Sequence, residues 1–413
     1  MQTEPLKLNR STSELERAMD LIPGGVLGIR RPYNFVEGEY PSFFDRGKGG
    51  KVVDIDGNEY IDYLCAYGPI ILGYREEEVD QAVIRQISEK GFCFSLTQVF
   101  QNELAEKLNS LIPCAEMSVF VKTGSDATTC AVRLARSHTG RTKIIRCGYH
   151  GWHDWCVEVK GGVPEKLYED VLEFSYNDLD GLEDLLKKHG DEVAAVIMTP
   201  YGHPLAKKMQ DPKPGFLEGV RELTLRHGNV LIFDEVRTGF RMDMGGAQKY
   251  YGVSPDLAVF GKAMANGYAI GAVTGRRDIM KAGEHEVFIS STFFPNSLSY
   301  VAALKTIEIM ERDKVLEKVW EKGRLYLSLV NEVLEGNPYG VEISGVPPMS
   351  FITFSPDPEK KYKGRRTRFY TELIRRGIFQ QPYHHGYICY RHTEEELRYT
   401  ARVIGETLES LDK

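Results

Sequence analysis

No apolar stretch in this 413-residue chain approaches the roughly 20 residues that span a bilayer, so no membrane helix is predicted. The N-terminus reads Met1-Gln-Thr-Glu-Pro-Leu-Lys and lacks the apolar core of a secretory signal, which makes a cytoplasmic location the expectation. Positive charge is scarce too. Fifty-two lysines and arginines against 59 acids leave a net charge of −7, which argues against general affinity for nucleic acid. The seven cysteines (65, 93, 114, 130, 147, 156 and 389) contain no Cys-x-x-Cys pair. Scattered in this way, they suit small buried residues in a reducing compartment better than disulfides. None has neighbours suited to depressing a thiol pKa, so no catalytic cysteine is expected. Repeats and low-complexity tracts are absent as well.

What is present is an ordinary soluble composition, 42% hydrophobic and 27% charged, in a chain too long for a typical single domain. Ser11 to Leu21 reads as an amphipathic helix capped by Ser13, with Glu16 three residues later. Residues 50–64 alternate like a hairpin turning at Asp56-Gly57. From about 77 to 305 helices and strands alternate, with strands expected near 118–121, 143–146, 194–198, 230–233, 257–260 and 272–274. That pattern predicts a large α/β domain with a mostly parallel sheet. A helix over about 298–312 leads into a C-terminal α+β segment. The expected division is 1–76, 77–305 and 306–413, with the two outer pieces joined as a small domain.

Three local patterns carry chemistry. In Asp256-Leu-Ala-Val-Phe-Gly-Lys262 an apolar strand ends on one lysine. If that lysine is buried, desolvation disfavours its ammonium and leaves a nucleophilic amine. In Val230-Leu-Ile-Phe-Asp-Glu235 a second apolar strand delivers Asp234 and Glu235 at its carboxyl end, where α/β sheets expose their functional groups. Taken alone, such an acid pair serves equally well to cap a helix or bind a metal. Met117 to Arg136 reads as a strand, a turn at Thr123-Gly124-Ser125, and a helix whose free N-terminal amides suit a phosphate.

In this order, and with Ile22-Pro-Gly-Gly-Val26, Val53 to Tyr63, Gly68 to Gly73, Tyr149-His-Gly151 and Arg391-His-Thr393, the chain closely resembles the class III aminotransferases of the fold type I pyridoxal phosphate enzymes. The nearest likeness is to glutamate-1-semialdehyde 2,1-aminomutase. The resemblance implies that Lys262 forms a Schiff base with the cofactor aldehyde and shuttles the proton. Asp234 would pair with the pyridine nitrogen, Val236 would pack on one ring face and Tyr149 on the other. Gly124 and Ser125 would hold the phosphate. Thr292 stands where the family reaches across a homodimer interface to the partner's phosphate, although Pro295 and Ser297 replace the residues usual after it.

Substrate positions depart from the aminomutase pattern. Thr199 stands where relatives have a glutamate, and His384 where that pattern has an acid. Arg31 matches the position used there for a substrate carboxylate, with Arg30 an equal candidate. Tyr67, Tyr201, His384, His385 and Tyr387 would line a pocket of hydroxyl and imidazole donors. The expectation is therefore a transaminase moving an amino group from an amino acid, L-glutamate foremost, to an aldehyde or ketone, sugar-like or a keto acid. The aminomutase is the alternative. A remoter one is a metal-dependent hydrolase using His150, His153, His384, His385, Asp154, Asp234 and Glu235. Gly151 and Trp152 break helical spacing there, so no metal is expected.

Overall fold

The protein is described from a computed structural model covering residues 3–28, 31–204 and 206–411. In chain order, α1 (Asn9–Leu21) precedes β1 (Phe44–Lys48), β2 (Lys51–Asp54) and β3 (Glu59–Asp62), an antiparallel set. Seven strands follow: β4 (Met117–Val121), β5 (Lys143–Cys147), β6 (Val171–Glu173), β7 (Val193–Met198), β8 (Val230–Asp234), β9 (Leu257–Phe260) and β10 (Gly271–Gly275). The chain closes with β11 (Val341–Val346), β12 (Met349–Phe354), β13 (Ile378–Phe379) and β14 (Gly386–Tyr387).

The chain divides into two compact units, one of 77–204 and 210–316, the other of 1–76, 205–209 and 317–413. The second unit joins both ends of the chain, because β13 pairs in parallel with β3 through Ile378 and Ile61. Its boundary lies beyond residue 305 because the helix Ser297–Arg312 stays with the first unit, packed on the helices Glu77–Arg85 and Phe100–Leu111.

In the first unit the strands run in the order β4-β10-β9-β8-β7-β5-β6, and β10 alone runs opposite to the other six. Side chains alternate between two cores, as the pleat requires. Ile144, Ile197, Val230 and Ile232 face one cluster with Ala127, Ala131 and Leu134 of the helix Gly124–Thr139. Their chain neighbours Ile145, Val196, Met198, Leu231 and Phe233 face the other, with Leu182, Leu186, Phe216 and Val220. Burial on both faces explains why these strands read as continuous apolar runs, each large side chain contributing about 1.5–3 kcal/mol.

The expected Ser13 cap is corrected. The helix begins at Asn9 and has no side-chain cap of its own. The Asp56 carboxylate, carried on the β2–β3 turn, accepts from the amides of Arg10 at 2.7 Å and Ser11 at 2.8 Å. A distant acid therefore satisfies the orphan N–H groups that a local serine was expected to meet.

Candidate active site

Because β10 is antiparallel between β4 and β9, the carboxyl ends of β4, β5, β7, β8 and β9 all lie along one edge of the sheet. That edge collects the turn at Gly124, the loop beginning Gly148-Tyr149-His150, and Thr199, Asp234 and Lys262.

Lys262 adopts φ 44, a left-handed conformation that an L-residue holds only when its surroundings enforce it. The residue keeps some surface open to solvent, while its Nζ is surrounded by protein. Burial, followed by the Arg237 charge, holds its ammonium well below the usual lysine range, and the Asp234 charge opposes this without cancelling it. Desolvation therefore favours the neutral amine over the ammonium.

Asp234 is buried, and its two oxygens are used differently. One accepts from the Val236 amide at 3.1 Å and the other lies 2.8 Å from His150 Nδ1. An ionised carboxylate only accepts, so His150 carries its proton on Nδ1 and donates it. His150 is itself enclosed, and its Nε2 has no partner among the described residues. Thr128 Oγ1 donates to the His150 carbonyl at 2.6 Å, which ties this loop to the helix Gly124–Thr139.

At the start of that helix, Thr123 and Asp126 form a reciprocal cap. No acceptor among the described residues takes the Gly124 and Ser125 amides, the two N–H groups left at the mouth of the helix. Two glycines permit the close approach here. A Cβ on Gly124 would stand 3.1 Å from Val236 Cγ1, and one on Gly151, at φ +119, would meet Ser125 Oγ at 2.4 Å. Val236 is thus wedged between the helix mouth and Gly261, the residue before Lys262.

Glu235 turns away from this group. Fully enclosed, it accepts from Thr238 Oγ1 and from the amides of Ala247 and Gln248, anchoring the next helix. The acid pair therefore splits into one residue at the site and one in the core.

Of the other predicted residues, Tyr149 is about half exposed on the loop after β5. Thr292 is exposed in the turn before Asn296 caps the helix Ser297–Arg312. Tyr201 has no exposed surface, so it does not line an open pocket in this structure. Arg31, Tyr67 and His384 belong to the other unit. There the Tyr67 and His384 rings meet edge to face at 4.9 Å, and His384 Nδ1 lies 2.8 Å from the His385 carbonyl it donates to. His385 and Tyr387 are enclosed and bonded to each other at 2.9 Å. Arg30 lies outside the described residues.

Within the first unit, the histidines of the metal-hydrolase reading are engaged by protein partners. His150 meets Asp234 as a hydrogen-bond donor, and His153 Nδ1 is engaged by Thr129 Oγ1 at 2.8 Å. Among the described residues, the side chains of ligand type that do converge are Cys65, Cys389 and His392. Both ring nitrogens of that histidine are already engaged by backbone, Nδ1 by the Cys389 amide and Nε2 by the Asp62 carbonyl.

Two polar residues at this edge were absent from the sequence reading. Arg237 follows Val236 directly, and its Nη1 lies 2.9 Å from His203 Nδ1. Its position three residues after Asp234 was the available signal.

Residues 34–398 match the family Aminotransferase class-III. A 3-aminobutyryl-CoA aminotransferase of Cloacimonas acidaminovorans (strain Evry) is 62% identical over 410 residues, covering 99% of each chain. A glutamate-1-semialdehyde 2,1-aminomutase of Archaeoglobus fulgidus is 36% identical over 427 residues, covering 98% of this chain and all of that one. The solved structure of the FumI protein of Sphingopyxis sp. MTA144, in its PLP internal aldimine form, superposes with a TM-score of 0.91 at 29% identity, covering 97% and 96% of the two chains.

Proposed function

This chain belongs to the class III aminotransferases, enzymes that work with pyridoxal 5'-phosphate, and from that premise we propose that it transfers an amino group between glutamate and the 3-keto carbon of a short acyl-CoA. The carrying observation is the 62% identity to a 3-aminobutyryl-CoA aminotransferase along nearly the whole of both chains, against 36% to the aminomutase. A ketone on a coenzyme A thioester thus replaces the sugar-like carbonyl as the expected acceptor.

The residues at the sheet edge fit the cofactor on their own chemistry: an enclosed amine, a buried carboxylate held by two donors, and a helix mouth whose amides are unclaimed. Bound there, the cofactor supplies an electron sink for the charge left when a proton leaves the substrate carbon. Lys262 Nζ takes that proton and returns it. Asp234 holds a proton on the ring nitrogen, and His150 fixes the carboxylate that does so. The Gly124 and Ser125 amides bind the phosphate, while Val236 and Tyr149 confine the ring. Thr292 serves the neighbouring subunit of a homodimer. The seven-stranded unit is the cofactor domain, and Arg31, Tyr67 and His384 remain candidates for substrate contact.

Enzyme converted to its amino form should aminate acetoacetyl-CoA to 3-aminobutyryl-CoA, read by mass spectrometry. Production of 5-aminolevulinate from glutamate-1-semialdehyde, without added donor or acceptor, would overturn this assignment in favour of the aminomutase.

A further inference from the structure

We infer that Arg237 is the receptor for the carboxylate of the amino-acid partner, a binding role resting on the transaminase reading above, with His203 as the neutral support that holds the guanidinium while the site is empty of anions.

The first observation is a charge without a counter-charge. Arginine stays protonated and offers five N–H donors. Two other inward-facing arginines of the same unit sit on acids: Arg146 Nε on Glu173 at 2.9 Å, and Arg221 Nη1 on Asp256 at 2.7 Å. Arg237 is half-buried and contacts no carboxylate within ion-pair distance among the described residues. Its partner is His203 Nδ1, and its Nε is enclosed with no partner among the described residues. An uncompensated cation in protein surroundings is costly, so a site that keeps one is arranged to receive an anion.

The second observation is place. Arg237 follows Val236, whose side chain packs against both Gly124 and Gly261. After burial, the Arg237 charge is the next cause that lowers the Lys262 ammonium, so the guanidinium lies on the same side of the sheet edge as that amine.

The third is the support. A guanidinium N–H can only donate, so His203 must accept through Nδ1 and is therefore neutral there. Exchanging a neutral imidazole for a carboxylate replaces one hydrogen bond with a charge-assisted, two-pronged one. The exchange is also reversible. A transaminase of the proposed kind must admit a carboxylate-bearing partner in one half-reaction and a thioester in the other. An arginine locked to a protein acid could not yield in this way, whereas one resting on histidine can.

The test uses holoenzyme and glutarate, an unreactive dicarboxylate, with binding followed by calorimetry. Glutarate affinity should fall about tenfold or more in Arg237→Met, which corresponds to about 1.4 kcal/mol. Arg237→Lys should recover part of it. Borohydride must still fix the cofactor to Lys262 in each variant, which separates loss of the receptor from loss of the loaded site. Glutarate binding requires no turnover, so the result stands apart from whether the acyl-CoA assignment holds. Unchanged affinity in Arg237→Met would overturn the inference, as would absence of glutarate binding to the wild type. If the arginine instead serves an oxygen of the cofactor, Arg237→Met will shift the pH midpoint of the holoenzyme absorbance while glutarate affinity stays unchanged, and the inference fails.

Discussion

Replacing His150 isolates the contact that should govern how well Asp234 works. The Asp234 carboxylate is buried and has two recorded donors, the Val236 amide at 3.1 Å and His150 Nδ1 at 2.8 Å. His150→Phe removes the shorter of the two and leaves a ring of similar shape. A hydrogen bond to a charged group is worth about 1.5–3 kcal/mol. If that energy is what keeps the carboxylate aimed, the chemical step should slow about tenfold to a hundredfold, at about 1.4 kcal/mol per factor of ten. The loss should appear in kcat, since His150 acts on Asp234 and not on the substrate.

His150→Asn provides the control, because its amide nitrogen can stand near the lost Nδ1 and donate in its place. Single-turnover absorbance of the cofactor, followed as an amino donor is mixed in, reports the step directly. Thermal unfolding of each variant separates slower chemistry from a weakened fold. The reasoning fails if His150→Phe turns over within about twofold of wild type, about 0.4 kcal/mol. It fails equally if His150→Asn is as slow as His150→Phe, since the ring and not its donated proton would then matter.

Lys262 gives a prediction about stability. Its folded-state ammonium is held well below the unfolded value of about 10.4, so between the two values the unfolded chain binds more protons and stability rises with pH. Apoprotein carrying Lys262→Ala should therefore resist urea better than wild-type apoprotein at neutral pH, with the advantage shrinking as the pH approaches 10; an advantage independent of pH would contradict the desolvation argument. Thr292 gives a prediction about assembly. Mixing Lys262→Ala chains with Thr292→Ala chains should restore activity, because one site of each mixed dimer then carries both defects and the other neither. If subunit exchange is proven and activity stays absent, Thr292 does not act across the interface.

Sequence carried most of the fold where burial leaves no freedom. β7, β8 and β9 are enclosed on both faces, so each had to be written as an unbroken apolar run, and each run ends where the chemistry begins. The strand-end positions of Lys262 and Asp234 were legible for that reason. β6 was not, because three residues of partial exposure hold no period, and β13 and β14 have two residues each. The cap of α1 was misread because its acid comes from Asp56, more than forty positions along the chain.

The same limit explains what was missed at the site. His150 stands beside Tyr149 in sequence, yet its work is defined by Asp234, 84 positions away, and Arg237 takes its meaning from His203, 34 positions back. A motif gives the kind of side chain at a strand end; only the fold says which charges have been paired and which have been left open. In this chain Asp256 satisfies Arg221 and Glu173 satisfies Arg146, whereas Arg237 faces a neutral ring. In the proposed mechanism the lysine and aspartate would serve every amino group alike, so selectivity among relatives would come from such differences. If Arg237 exchanges His203 for a substrate carboxylate, it is a more informative place to seek the identity of the substrates than Lys262 and Asp234.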